Sequence, residues 1–558
     1  MRKIISILMI TTMVLSTFAG CTPKEEPSKY TSEVVANLQK DVDYIEHAST
    51  YDDKNKTLTY DESMWYVNDL ISVPLADPHV YVENDTYYIV GTNDRDNGVI
   101  DAYSTKDFVT YKRHTAIYNP ANFDGWEADA AEIYAPELYC FDGVYYMYYS
   151  AKDMNGYRRN SVVVADAPLG PYRPLVNDEV DGLSAPIFLD KNEKFGVLDI
   201  SVFVDDDGEM YMYYSVATNE NQHIVGVKLN SPYEADWSTY TELVKPGALN
   251  STNPILKPLS WEMYRKGVPI VEAPYLIKSN GKYYMTYSVN GCWDKFYNVC
   301  YAVSDSPLGD FEKPYYNGGV WTNLLLGYPG TNIGNATVNS QWSGFNSGTA
   351  HHCFFNIGDQ VMIGYHAHQD RNGTGGYEKR AFAFDYLYFD ENGVPFTNGP
   401  SYSVQPLPEA LSGYSNIAPF AQVKSENVKN AGAINDNYIV DCWNLPGESE
   451  KEVSLGTGYS YIELKFDSTY EIGGIAIYNS AYYEKFLSEI VYIDFGNGNA
   501  IEYPHFANDL YVNDSKNFIF PGSAFTIEFL NTFTSDHVII CVNSDVPVAL
   551  NEIVVLGR

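Results

Sequence analysis

The chain has 558 residues, with 36 Lys and Arg against 72 Asp and Glu and a formal net charge of -36. This length exceeds one ordinary domain, and the acidic balance disfavours nucleic acid and anionic lipid surfaces as partners, so a neutral partner is the simpler expectation. Aromatic residues make up 15% of the chain and Tyr alone contributes 50, a composition typical of strands and of surfaces that stack on sugar rings.

The first 20 residues have the pattern of a bacterial export signal. A basic start precedes an apolar run that ends near Phe18, and this run is too short for a stable membrane-spanning helix. The letters FAGC, which end at Cys21, resemble a lipoprotein box in which the cysteine is lipidated after cleavage. We therefore predict a signal peptide at 1–20, a tether and N-terminal extension at 21–60, and a lipoprotein anchored to the cell surface, outside the cytoplasm, through Cys21.

A tyrosine-rich strand then recurs along the chain. Each copy contains or follows a turn signal such as Asp142-Gly143, so each is predicted to be the second strand of a hairpin. The copies recur about every 60 to 80 residues, which suits a four-stranded blade with its loops and predicts a five-bladed β-propeller over 61–408. The absence of sustained helical periodicity disfavours an α/β barrel. The copies are DTYYIVGT at 85–92, GVYYMYYS at 143–150, GEMYMYYS at 208–215, GKYYMTYS at 281–288 and a weaker GDQVMIGYH at 358–366.

Corresponding positions at the mouth of a propeller channel converge on one pocket. Counting back ten or eleven residues from the repeated strand gives Asp77, Tyr134, Asp199, Glu272 and His351. A single Asp at a strand end is commonly a turn or cap residue, but three carboxylates facing one pocket raise one another's pKa and destabilise the fold, which argues for function. Hydrolysis of a glycosidic bond needs a protonated acid and an ionised base, and a third carboxylate can keep the acid protonated.

Five segments resemble, in order and content, the blade signatures of glycoside hydrolase family 43. This resemblance covers about residues 70–408 and implies a five-bladed propeller of inverting glycosidases that act mostly on arabinose- and xylose-containing plant polysaccharides. By motif, Asp77 resembles the general base, Asp199 the carboxylate that tunes and orients the acid, and Glu272 the general acid. The segments are ADPHVYVENDTYYIVGT, YAPELYCFDGVYYMYYSA, LDISVFVDDDGEMYMYYS, EAPYLIKSNGKYYMTYS and GTAHHCFF followed by GYHAH.

The resemblance also implies residues around the acids. His351 matches a histidine that in part of the family helps to hold a central calcium ion or water cluster, so a structural calcium is a candidate and no cofactor is required. Arg380 resembles an arginine that reaches toward the sugar, and a surface arginine is the equal alternative. The sequence departs from the family at Ile200, where Pro is common, and at Tyr134, where Trp is frequent, so the wall facing the sugar is expected to differ.

The C-terminal part changes in composition. Residues 409–420 have the character of a linker, and residues 421–558 carry alternating strands typical of a β-sandwich. They resemble discoidin-like, galactose-binding-like modules, for which carbohydrate binding and buttressing of the propeller are alternative roles. Cys442 and Cys541 are the disulfide pair we favour, with buried free thiols as the alternative.

Several aromatic residues outside the repeated strands are candidate sugar contacts, with structural packing as the alternative for each. Those of the propeller lie in loops between blade strands. The candidates are Trp126, Trp293, Trp443, Tyr482 and Tyr483.

The sequence therefore predicts an all-β protein that is an inverting glycosidase of the α-L-arabinofuranosidase or β-xylosidase type. One alternative is a propeller glycosidase for another sugar, such as a galactoside or the interior of an arabinan chain. A fructosidase is disfavoured because Asp77 lacks the expected Trp-x-Asn-Asp-Pro setting. The alternative of another class is a non-catalytic, glycan-binding surface lipoprotein, which would not need three acids. Linkage, exo or endo attack and oligomeric state stay open at this stage.

Overall fold

A computed structural model describes most of the chain. Within the described residues, no helix is long and apolar enough to cross a membrane. The predicted signal peptide lies outside them, as do Cys21, Cys442, Trp443, Tyr482 and Tyr483. The described residues are 42–47, 64–68, 72–94, 98–123, 126, 132–175, 188, 195–246, 269–294, 297–314, 323–327, 348–368, 379–401, 404–439, 451–480, 485, 487, 489–502, 511–512, 516–517 and 524–558.

Five four-stranded antiparallel sheets follow one another along the chain, which confirms the predicted five-bladed β-propeller. Strands β1 (Tyr44–His47) and β2 (Trp65–Tyr66) precede it. The first three blades are β3 (Ala76–Glu83), β4 (Thr86–Thr92), β5 (Ile100–Thr105) and β6 (Lys112–Tyr118); β7 (Ile133–Phe141), β8 (Val144–Lys152), β9 (Arg158–Ala165) and β10 (Arg173–Pro174); and β11 (Gly196–Val204), β12 (Met210–Ala217), β13 (Gln222–Ser231) and β14 (Glu234–Val244). The last two are β15 (Val271–Ser279), β16 (Lys282–Val289), β17 (Asn298–Ser304) and β18 (Leu324–Leu326); and β19 (Ala350–Ile357), β20 (Gln360–His368), β21 (Arg380–Phe389) and β22 (Pro395–Thr397).

The repeated tyrosine strand is the second strand of every blade, as predicted. Successive side chains of a strand point to opposite faces, yet the neighbours Tyr148 and Tyr149 are both buried, and so are Tyr213 and Tyr214. Both faces are buried because each blade packs between two others. This explains why the strands have nearly continuous apolar and aromatic runs rather than strict alternation.

The C-terminal region is β-rich, in keeping with the predicted sandwich. Its main sheet has ten strands, and β1 joins it by pairing with β33 (Ala524–Ser544). The two central strands, β28 (Gly458–Asn479) and β33, are 22 and 21 residues long and shift register along their length, so they fold around the apolar core. Helix α1 (Glu409–Ser412) and β24 (Ser415–Asn416) lie within the predicted linker. The strands are β23 (Gln405–Pro406), β24 (Ser415–Asn416), β25 (Gln422–Glu426), β26 (Val428–Lys429), β27 (Val453–Leu455), β28 (Gly458–Asn479), β29 (Tyr492–Asp494), β30 (Ala500–Glu502), β31 (Tyr511–Val512), β32 (Lys516–Asn517), β33 (Ala524–Ser544) and β34 (Val548–Gly557).

Trp65 joins the propeller to the C-terminal sheet. Its strand, β2, pairs with β23 just after the last blade, while its ring is fully buried against Tyr478 and Leu556. The indole Nε1 donates a hydrogen bond to Glu528 Oε2 at 3.0 Å. The side chain of Trp65 therefore contacts both β-structures at their junction.

Replacing Trp65 by Ala is expected to destabilise the protein by about 3–5 kcal/mol, because it opens a large cavity at this junction and leaves Glu528 without its indole donor. Trp237→Ala on the outer strand β14, where the ring is only half-buried, is the control with a smaller loss. Chemical denaturation followed by circular dichroism measures both. Equal losses in the two variants would contradict the junction role.

Candidate active site

The innermost strand of every blade carries a β-bulge near its start. At each bulge one residue adopts a left-handed conformation, with φ between 45° and 58°. Non-glycine residues rarely adopt this conformation, which costs about 1–3 kcal/mol and is retained mainly where function or the surrounding structure requires it. The bulged residues are Asp77, Ala135, Asp199, Ala273 and His351.

The bulges correct one detail of the sequence prediction, which placed five residues in a single slot. Asp77, Asp199 and His351 are the left-handed residues themselves, whereas Tyr134 and Glu272 stand one position earlier. The bulge is present in all five blades, but only the hairpin of the third blade is one residue longer, so counting back eleven residues reaches the bulged residue there and the residue before the bulge in the second and fourth blades. The pocket is built from two adjacent positions of the repeat.

A ring of hydrogen bonds holds the bulges in place. Each left-handed residue donates its backbone N–H to a side chain, and in four blades that side chain comes from the end of the second strand of the preceding blade. The four are Ala135 to Thr92 Oγ1 (2.8 Å), Asp199 to Ser150 Oγ (3.0 Å), His351 to Ser288 Oγ (2.9 Å) and Asp77 to His366 Nδ1 (3.0 Å).

The ring of hydrogen bonds differs at the fourth blade, where the acceptor is the carboxylate of Asp199. The N–H of Ala273 donates to Asp199 Oδ2 at 3.2 Å instead of to the equivalent hydroxyl, Ser215. That hydroxyl is buried and has no hydrogen-bond partner among the described residues. Asp199 therefore takes the place of a serine in the ring, which fixes its carboxylate beside the residue that follows Glu272.

Asp77 is buried among positive and hydrogen-bonding groups. Its Oδ1 accepts a hydrogen bond from Arg380 Nη1 at 2.8 Å and lies 3.2 Å from His351 Nδ1, while Oδ2 accepts from Thr92 Oγ1 at 2.6 Å. Burial alone raises the pKa of a carboxyl, but here Arg380 and the histidines outweigh it and hold the pKa of Asp77 well below its usual range. This carboxylate is ionised at neutral pH.

The pKa values of Glu272 and Asp199 are raised rather than lowered. Burial, opposed by two hydrogen bonds and reinforced by the charge of Asp77, raises the pKa of Glu272 to about 7. The hydrogen bonds come from Tyr297 OH to Oε1 (2.8 Å) and from Gln222 Nε2 to Oε2 (2.6 Å). The pKa of Asp199 is raised well above its usual value by burial and by the charges of Glu272 and Asp77. The pocket thus holds one ionised carboxylate opposite a carboxyl that keeps its proton near neutrality.

Comparison with known proteins identifies the family. Residues 66–395 match glycosyl hydrolases family 43. The chain belongs to this family. It is 28% identical over 261 residues to a β-D-galactofuranosidase of Aspergillus niger, covering 43% of this chain and 63% of that protein. It is 26% identical over 282 residues to a xylosidase/arabinosidase of Bacteroides ovatus, covering 45% and 79%. The crystal structure of a thermostable family-43 glycoside hydrolase aligns with a TM-score of 0.49 and 23% identity, over 62% of this chain and 98% of that one.

Two further predicted residues of this family-43 site are held by charged neighbours. Arg380 is buried and also binds both carboxylate oxygens of Asp94, at 3.0 and 2.8 Å. Tyr134 is half-buried, with the guanidinium of Arg158 5.0 Å from its ring centroid. The charge of Arg158 also lowers the pKa of Asp199, so Tyr134 lies at the side of the pocket next to that carboxylate.

The two predicted tryptophans differ in their surroundings. Trp293 is 42% exposed and belongs to the loop between β16 and β17 that also supplies Tyr297, so the sugar-contact alternative stays a prediction for it. Trp126 stacks on the fully buried Tyr149, with centroids 6.2 Å apart, which fits the packing alternative.

The described residues do not present a calcium site built from side chains. No group of three or more His, Cys, Asp or Glu among them is arranged to hold a metal ion. His351, the candidate ligand, directs Nδ1 at Asp77 and is kept neutral because burial lowers its pKa. We therefore derive no step through a metal.

The acid should respond to loss of its hydroxyl partner. In Tyr297→Phe the carboxylate form of Glu272 loses a hydrogen bond, so the pKa of Glu272 rises and the protonated acid persists to higher pH. The basic limb of kcat/KM, expected near pH 7 in the parent, is predicted to move to higher pH. Tyr301→Phe on β17 is the control and should leave the profile unchanged. A basic limb that stays in place or moves to lower pH in Tyr297→Phe would contradict the assignment of Glu272.

The base should respond to loss of its cation. Arg380→Gln removes the main group that lowers the pKa of Asp77, so this carboxylate becomes protonated at higher pH and the acidic limb of kcat/KM moves toward neutrality. Arg380→Lys retains a positive charge and should show a smaller displacement. An acidic limb that is identical in all three proteins would show that Asp77 does not set it.

Proposed function

We propose that this protein is an inverting glycoside hydrolase that releases arabinose or xylose from plant cell-wall polysaccharides or oligosaccharides. The observation that supports this most strongly is the opposite protonation of two buried carboxyl groups in one pocket. Asp77 is held ionised by Arg380, and Glu272 keeps its proton up to a pKa of about 7. Glycoside hydrolysis by inversion needs this pair.

The reaction is a single displacement. Asp77 takes a proton from a water molecule as its oxygen attacks the anomeric carbon, and Glu272 gives its proton to the glycosidic oxygen as the bond between that oxygen and the anomeric carbon breaks. Inversion needs carboxyl groups about 6.5–9.5 Å apart, with room for the water. The two residues come from the first and fourth blades, which are not neighbours in a ring of five. Asp199 accepts the N–H of Ala273, the residue after Glu272, and so orients the strand that carries the acid.

The preference for arabinose or xylose is supported by relatives of similar sequence. The Bacteroides ovatus protein is a xylosidase/arabinosidase. The Aspergillus niger protein is a β-D-galactofuranosidase, which favours a galactoside as the second candidate substrate. The match covers 63% of the length of the Aspergillus niger protein. The activity of this chain as a whole is therefore part of the proposal.

We also propose that the protein works outside the cytoplasm, anchored through a lipid on Cys21. The support is the N-terminal sequence pattern and the acidic charge, which is unsuited to nucleic acid. Labelling with a radioactive fatty acid, lost in Cys21→Ser, measures the anchor directly.

Hydrolysis assays test the proposed activity. We expect turnover of nitrophenyl α-L-arabinofuranoside or β-D-xylopyranoside, with nitrophenyl galactofuranoside, arabinan and xylan as further substrates. Glu272→Gln should lose the acid and Asp77→Asn the base, each lowering kcat by about 10²–10⁴-fold while the fold is retained. Asp206→Asn, in a hairpin turn on the surface, is the control and should keep full activity.

Two outcomes would contradict this proposal. Substantial activity in Glu272→Gln or Asp77→Asn would remove the assigned roles. If none of the substrates were cleaved but sugars still bound, the protein would instead be the glycan-binding lipoprotein of the alternative prediction.

A further inference from the structure

Arg158, the first residue of β9, has no counter-charge beside it. Its buried Nε has no hydrogen-bond partner, and among the described residues no carboxylate lies within ion-pair distance of its guanidinium, which lies 5.0 Å from the ring centroid of Tyr134. The next residue, Arg159, is by contrast paired with Asp153 at 3.3 Å. In a chain with 72 acidic residues against 36 basic ones, an arginine without a carboxylate partner is an exception.

This arginine lies on the acid side of the pocket. Tyr134 occupies in the second blade the position that Glu272 occupies in the fourth, directly before the bulge. Burial raises the pKa values of Glu272 and Asp199, and the positive charge of Arg158 opposes the rise for both, so its guanidinium is within electrostatic range of both carboxyl groups. The acid of an inverting glycosidase gives its proton to the oxygen of the leaving sugar. Arg158 therefore faces the part of the substrate that leaves.

Two simpler roles do not account for this cation. A positive charge near Glu272 favours the ionised form of that carboxyl, which opposes its role as proton donor. A structural ion pair is not formed either, because Glu132, which accepts the hydroxyl of Tyr134, is bound to Lys152 Nζ at 2.5 Å. Charged groups that are shielded from water are usually paired, so an arginine that lacks its partner at a pocket wall indicates a ligand that supplies the negative charge.

The chemistry of the wall selects a carboxylate. A guanidinium is a planar fork of donors that matches a carboxylate with two parallel hydrogen bonds, and the ring of Tyr134 supports that plane. Glu272 and Asp199 have raised pKa values, so near neutrality their protonated forms do not repel an anion. In a substrate made of sugars, the residue that carries a carboxylate is a uronic acid.

We propose that Arg158 is a specificity-determining residue that binds the carboxylate of a uronic acid in the leaving part of the substrate. The inference rests on the proposed function, because the role of Glu272 as the acid defines the leaving side. The preferred substrate is then an arabinosyl or xylosyl unit linked to an acidic sugar, rather than one within a wholly neutral chain.

Binding of small acidic sugars tests this assignment. Calorimetry compares D-glucuronate and D-galacturonate with their uncharged amides, which differ from them only at the carboxyl group. We expect the parent to bind at least one uronate about tenfold more tightly than its amide, and Arg158→Gln to lose this preference. Arg158→Lys keeps the charge without the fork and should retain part of it. Arg173→Gln, which removes an exposed arginine paired with Asp166 in the same blade, is the control and should bind as the parent does.

Turnover gives a second readout. The substrates are disaccharides in which xylose or arabinose is linked to glucuronic acid or to its amide. In Arg158→Gln the ratio of kcat/KM for the acidic over the neutral disaccharide should fall by about tenfold. A general defect of the pocket would lower both values and leave the ratio unchanged. Because Arg158 has no carboxylate partner to lose, the thermal midpoint of Arg158→Gln should stay at or above that of the parent.

Three results would overturn the role of Arg158. The first is equal affinity of the parent for each uronate and its amide, and the second is a preference for the uronate that survives in Arg158→Gln. The third is an equal loss of uronate and amide binding in a folded Arg158→Gln, which would assign the arginine to neutral hydroxyl groups. If the parent cleaves no glycoside but its uronate preference is lost in Arg158→Gln, the anion site stands and the proposed hydrolase function falls. If neutral glycosides are cleaved and no uronate is preferred, the hydrolase stands and the site falls.

Discussion

The candidate site depends on one repeated constraint, which is the left-handed bulge in each innermost strand. An ordinary strand would alternate its side chains between two faces, but the bulge brings two consecutive positions to the channel mouth. Each bulge is strained, and a side chain of the preceding blade holds it by accepting the backbone N–H. The ring of blades therefore has to close before the pocket exists, which couples the site to the fold.

Once the bulges have placed the carboxyl groups in the pocket, the hydrogen-bond and charge partners of each carboxyl decide whether it is protonated. Asp77, Asp199 and Glu272 are all buried, so burial alone would favour the neutral form of each. Only Asp77 contacts a guanidinium, from Arg380, and only Asp77 has its pKa well below the usual range. Glu272 receives neutral donors, which are weaker and leave its pKa near 7. A base and an acid thus arise in one pocket because one of the carboxyl groups forms a direct ion pair with a guanidinium and the others do not.

Much of the fold was predictable because a propeller repeats. The tyrosine strand recurs with each blade, so the number of blades and the mouth positions could be counted from the sequence. The count of eleven residues reached the residue before the bulge at Tyr134 and Glu272, because only the third blade has the longer hairpin that this count requires. A further signal was present in the last letter of each copy, which is Thr92, Ser150, Ser215, Ser288 or His366; four of these five accept the amide of the next bulge.

Other features had no such signal. Gln222 and Tyr297 bind the acid from the third strand of one blade and a loop of the next, outside the repeated strand. The cleft between the fifth blade and the C-terminal sheet is lined by residues nearly two hundred positions apart, such as Gly358 and Glu552. Contacts of this kind come from packing, and neither periodicity nor spacing encodes them.

Asp77 and Glu272 hold opposite protonation states at neutral pH. A carbon-detected NMR titration of protein labelled at the side-chain carboxyl carbons of Asp and Glu measures these states directly, with Asp77→Asn and Glu272→Gln used to assign the two signals. The Glu272 signal is expected to titrate near pH 7, and the Asp77 signal is expected to stay in its ionised position until well into the acid range. Titration of both signals together near pH 4 would contradict both expectations.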